Sequence, residues 1–194
     1  MGLLMLIVGL LLFTGMHAFV TMREPRAAAI ARLGEGPYKA LFTVVSILGV
    51  VLIGFGFGSY RAAGALELWT PPLWTRHVAA LLVLFGSIFV VAAYSPGRIK
   101  ATLKHPMLVG VKLWAAAHLI SNGDLGSVIL FGGILAWAVF DRISLKRRTD
   151  PGAPPIPVGG LQKDLIAVAG GIALYLALGF LFHPYVVGVP AFGR

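Results

Sequence analysis

Five histidines, His17, His77, His105, His118 and His183, have the widest chemistry open to them in this chain. A neutral imidazole can ligate a metal or haem iron, relay a proton, or act as acid or base near neutrality. His17 and His118 each lie within an apolar run with no acidic residue beside them in sequence. His183 lies within another run, and His77 and His105 stand at the edges of two more. Ala115, Ala116 and Ala117 precede His118, with Trp114 one turn before it, and Gly15 precedes His17. Two imidazoles on different helices with slender neighbours suit a flat, bulky ligand such as non-covalent haem b. Two plainer readings use the same residues: histidines that hydrogen-bond a carbonyl and only pack, in a scaffold without a cofactor, and a zinc site of three histidines.

Other chemistries have less to build on. The absence of cysteine removes disulfides, thiolate metal sites, cysteine nucleophiles and covalent haem attachment. No GxSxG, HExxH or P-loop occurs, and the seven acidic residues are scattered. Asp141 beside Arg142 reads as a solvated ion pair at a boundary. Lys112 is close enough to the end of its run to extend its ammonium towards the interface.

The elements that must position these residues are set by composition. The chain is 58% hydrophobic and 12% charged, with a mean hydropathy of +0.90. A soluble domain carries about 25% charged residues, so the solvent of this chain is lipid. We read an all-α, polytopic membrane helix bundle of about six transmembrane helices. The spans are 1–21, Tyr38–Ser59, His77–Tyr94, Pro106–Ile120, Leu125–Ile143 and Leu165–His183. Residues 1–194 form one transmembrane domain, and DPGAPPIPVGGLQ (150–162) is a Pro/Gly linker before the last helix. The spacing of Gly54 and Gly58 predicts a close helix–helix approach.

The first span has no basic residue before its apolar run, and Arg23 follows it, so a retained span is expected rather than a cleaved signal. Most of the sixteen basic residues fall in three loops. These hold Arg23, Arg26, Arg32 and Lys39, then Arg98, Lys100 and Lys104, then Arg142, Lys146, Arg147, Arg148 and Lys163. The positive-inside rule then puts both termini outside, across a bacterial inner (cytoplasmic) membrane. Membrane orientation thus accounts for the net charge of +9. No basic stripe with interleaved aromatics points to nucleic acid.

Several motifs resemble the NnrU family. They are H-A-F at 17–19, R-L-G at 32–34 with Y-K-A-L-F at 38–42, K-H-P-M-L-V-G at 104–110, W-A-A-A-H-L at 114–119 and F-H-P at 182–184. The likeness covers nearly the whole chain in order and is poorest in the linker. The family includes the plastid ζ-carotene isomerase, regarded as a haem b membrane enzyme. The resemblance implies His17 and His118 as axial ligands of haem iron; our own reading of the residues adds Trp114 to the haem surroundings and places Lys104 and Lys112 to meet negative groups, lipid phosphates or haem propionates. It implies a haem-binding inner-membrane protein linked to nitrite and nitric oxide metabolism in denitrification. The second implied activity is haem-dependent cis–trans isomerisation of a carotenoid. The isomerase has a cysteine three residues before its second histidine, proposed as an alternative ligand; here that position is Ala115. The partners implied are the lipid bilayer, nitric oxide or a carotenoid. H-P-x-x-x-G at 105–110 also resembles the signature of S-adenosylmethionine-dependent membrane methyltransferases. Their further acidic and aromatic motif is missing, since a Pro/Gly stretch and then only Asp164 follow.

Depth offers an alternative set of ligands. His17 lies about four residues, or ~6 Å, from the inner end of its span, and His118 about twelve residues, or ~18 Å, beyond Pro106. Axial nitrogens of one haem stand about 4 Å apart. By depth His105 is the better match for His17, while His77, His118 and His183 form an outer group able to make a second site. The resemblance keeps His17 and His118 as the first pair.

Overall fold

A computed structural model describes residues 1–148 and 158–192. The described chain is helical throughout, apart from loops and one isolated bridge between Glu67 and Asp124. The helices are α1 (Gly2–Phe19), α2 (Arg23–Leu33), α3 (Glu35–Ala62), α4 (Trp74–Ala92), α5 (Arg98–Leu103), α6 (Pro106–Ser121), α7 (Leu125–Arg147) and α8 (Leu161–Ala177). A π-helical segment, Leu178–Val187, continues α8 without a break. Five helices are long and apolar enough to cross a membrane, the last being α8 with its π segment. The sixth apolar helix, α6, has 16 residues. At 1.5 Å per residue it reaches about 24 Å, some 6 Å less than a hydrocarbon core of about 30 Å. Large apolar side chains such as Phe55 (70% exposed) and Leu165 (60%) point outward, as lipid-facing residues do. The expected polytopic helical bundle is thus present. Helices α2 and α5, inside the first two basic loops, were not expected. The alanine run of α2, with Pro25 in its first turn and Gly34 at φ 84° after its last, explains the former.

Packing divides the helices into two compact units. The first holds Met1–Thr70 and α7; the second holds Pro71–Ser121 and the described residues from Val158 onward.

In the first unit α1 packs along α3 and against α7. The expectation for Gly54 and Gly58 is corrected: a Cβ on either would meet nothing within 4 Å. The close approach is made by other glycines. A Cβ on Gly9 would stand 2.7 Å from the Gly49 carbonyl, and one on Gly49 would stand 2.9 Å from the Gly9 carbonyl. Gly2 and Gly56 meet the same way. Both pairs are seven residues apart along their helices, two full turns, so they lie on one face; Gly54 and Gly58 are turned away from it. At the far end of this unit Asp124 caps α7. It is buried, and its carboxylate accepts from the Ser127 amide (2.9 Å) and hydroxyl (2.6 Å). The Leu66 amide donates to the Tyr60 hydroxyl, and the Leu68 and Trp69 amides to the Gly123 carbonyl.

In the second unit α4 is central, with α6 and α8 against it. Gly110 allows the first contact: a Cβ there would stand 2.7 Å from the Gly86 carbonyl. Gly171 rests on Ile88 of α4. The start of α8 is tied to the turn after α4. The Ser95 hydroxyl donates to the Lys163 carbonyl (2.7 Å), and the Ile99 amide donates to the buried Asp164 carboxylate (3.0 Å). Of the expected linker, 150–157 lie outside the described residues, and 158–160 are non-helical. The Gly159 amide donates to the Pro96 carbonyl.

Candidate functional site

Each unit contains one of the two leading histidines. His17 is two residues from the end of α1. Its Nδ1 lies 2.7 Å from the Phe13 carbonyl. A carbonyl only accepts, so Nδ1 carries the proton, and in the neutral imidazole Nε2 keeps the lone pair. Phe13 (centroids 4.2 Å apart), Phe42 of α3 (5.1 Å) and the edge-on Trp137 of α7 (5.4 Å) surround the ring. Three helices therefore build the pocket. Trp137 Nε1 is buried without a hydrogen-bond partner, as are Ser46 Oγ and Tyr38 Oη. Tyr38, Phe42 and Ser46 are four residues apart in turn, so they share a face of α3.

His118 lies near the end of α6, and its Nδ1 is 2.8 Å from the Trp114 carbonyl. The same reasoning leaves the lone pair on Nε2. The Trp114 ring is 5.0 Å away, and Ala115 and Ala117 are fully buried, so the helix is slender here as the sequence suggested.

His183 is brought to His118 within the second unit, with ring centroids 6.2 Å apart and planes 18° from parallel. The cause is local. Pro184 has no N–H, and in an α-helix its ring would strike the carbonyl four residues back. The backbone widens into the π register instead, and the Leu178 carbonyl, five residues back, accepts from His183 Nδ1 at 2.8 Å. Runs of this kind are rare and concentrate at functional sites.

The remaining expected ligands are placed apart from this pair. His77 is exposed in the first turn of α4. Among the described residues no three histidine, aspartate or glutamate side chains gather to hold a metal ion. Of the outer group His77, His118 and His183, the rings of His118 and His183 are in contact. His105 is half-buried just before α6, and Lys112 is half-buried within it. The K-H-P motif forms a tight turn: the His105 amide donates to the Leu103 carbonyl (2.7 Å), leaving Lys104 at φ 61°. A positive φ at a residue other than glycine is strained, and such strain is frequent near functional sites.

Sequence reasoning missed Phe42, Trp137 and Ser46. Only Phe13, four residues before His17, was legible as a helical neighbour; the others come from distant helices with no shared spacing.

With five membrane-length helices and one shorter apolar helix among its described residues, the chain is a polytopic integral membrane protein in contact with the lipid bilayer. Within that class, residues 5–191 match the family model described as NnrU protein, and the chain belongs to the NnrU family. No curated protein and no solved structure matches it.

Proposed function

We propose that the chain is a haem b-binding protein of a bacterial inner membrane, serving nitrite and nitric oxide metabolism. The observation behind this reading is the shared tautomer of His17 and His118. Each donates from Nδ1 to the carbonyl four residues back, and fixing Nδ1 in this way prepares Nε2 to ligate iron. The residues present fit such a group. Aromatic rings flank His17, alanines thin the helix at His118, and the unpartnered Trp137 N–H could donate to a bound polar group. When bound, haem supplies a redox-active iron whose potential follows from its axial ligands and their hydrogen bonds.

The chain's own part is to orient the imidazoles and exclude water. Lys104 and Lys112 are suited to the propionates, with lipid phosphates as the other taker of their charge. His118 is one ligand. The resemblance gives His17 as the other, and the contact inside the second unit supports His183 as a second choice. Carotenoid isomerisation is the alternative activity; with alanine at 115, a switch to a cysteine ligand is not available to it.

Absorption spectra of the detergent-purified protein, oxidised and reduced, test this. A sharp Soret band that His118→Ala abolishes is the expected result. The second ligand is whichever of His17→Ala and His183→Ala also shifts the band. No band after haem is supplied during expression would sink the reading. Conversion of a cis-carotene by the loaded protein would turn it towards the isomerase.

A further inference from the structure

The first unit has a recess that the histidines do not touch. It is open, about 510 Å³ in volume, and lies where the end of α1 meets the last turns of α7. Arg23, Arg147 and Arg148 line it together with Ser144, and Phe140 and Ile143 form its apolar side. Among the described residues no acidic side chain lines it. Arg23, and Asp141 on the same helix as Arg147, each have an interaction of their own. Phe140 (47% exposed) and Ile143 (43%) present apolar surface next to the cations.

We propose that this recess binds the phosphate of an anionic phospholipid of the inner leaflet. Guanidinium groups match phosphate oxygens with paired, planar donors. Three of them in one concavity exceed what orientation of the spans requires, because scattered loop charges serve that purpose equally well. The recess sits at the end of two membrane-length helices, on the side that the loop charges assign to the cytoplasm. The apolar ledge favours a lipid over a soluble phosphate, since acyl chains would pass over Phe140 and Ile143 while the headgroup meets the arginines. The inference stands apart from the haem reading, because none of the lining residues is a histidine and the headgroup contacts are assigned to arginines alone.

Native mass spectrometry of the full chain in detergent tests it, with dioleoylphosphatidylglycerol, dioleoylphosphatidylcholine or inorganic phosphate added. The expected result is one tightly retained phosphatidylglycerol and no comparable phosphatidylcholine. Arg23→Gln/Arg147→Gln/Arg148→Gln should weaken that binding at least about tenfold. Arg26→Gln/Arg32→Gln/Lys39→Gln, which removes the same charge elsewhere in the basic loops, should change it less than about twofold. Ser144→Leu keeps every charge, and hence the orientation, while filling the recess; it should also weaken binding. Equal loss in both triple variants, or unchanged binding in Ser144→Leu, would overturn the recess as the site. Displacement of the lipid by millimolar inorganic phosphate would assign the same chemistry to a soluble anion and overturn the lipid.

Discussion

The two units solve the same problem, a histidine in an apolar helix bundle, with different backbones. In the first, α1 and α3 meet through Gly2, Gly9, Gly49 and Gly56, and both positive-φ residues, Gly34 and Gly64, are glycines. His17 is then enclosed by rings from three regular helices. In the second, the backbone departs from regular geometry at both ends of the site region. Lys104 holds a positive φ before α6, and a π-helical run places His183 beside His118. One imidazole is thus positioned by close packing, the other by locally irregular backbone. The first arrangement should be sensitive to volume and the second to backbone chemistry.

The largest effect should come from volume in the first unit. Gly49→Leu forces a side chain into backbone and should cost about 3 kcal/mol or more, or prevent folding. Gly54→Leu on the same helix meets open space and should stay within about 0.5 kcal/mol. Reversible unfolding in mixed micelles measures both, and equal losses would break the contrast.

The capping carboxylates come next. Asp124→Ala removes two bonds at the start of α7, and Asp164→Ala removes the acceptor for Ile99. Each should cost about 1–2 kcal/mol. Hydrogen exchange should show lost protection in α7 for the first and in residues 95–103 and early α8 for the second. Loss spread evenly through both units in either variant would count against the division.

A gain is expected at Lys104. Glycine accepts a φ of 61° without the clash that lysine suffers. Lys104→Gly should therefore stabilise the protein by about 1 kcal/mol, seen as a higher Tm. A lower Tm would mean that the lysine side chain holds the turn.

The smallest effect on stability is expected for Pro184→Ala, but it has a local signature. With an N–H restored, the π run can tighten and His183 loses its bond to Leu178. Nitrogen-15 NMR of the ring should then show His183 losing its fixed Nδ1–H tautomer while His17 keeps it. An unchanged His183 would mean that tertiary packing, rather than proline, sets the π register.

Part of this was legible in the chain. K-H-P marked the start of α6 because proline acts through the backbone, whatever surrounds it. GxxxG at Gly54 and Gly58 misled because the spacing says which residues share a face but not which face has a partner. The pairing of His118 with His183 was open only as part of a larger group, since 65 residues separate the two and no periodicity connects them.

By itself, the sequence determined that this is a polytopic membrane helix bundle of the NnrU family, and where most of its spans begin and end. Apolar length and helix period are local properties, and lipid leaves the backbone few alternatives to the helix. Only the tertiary structure decided which glycines touch, that Trp137 and Phe42 enclose His17, that His183 reaches His118 and His77 does not, and that three arginines share one recess. Those facts depend on contacts between distant segments, and the free energy of such contacts comes from packing, which no single stretch of chain encodes.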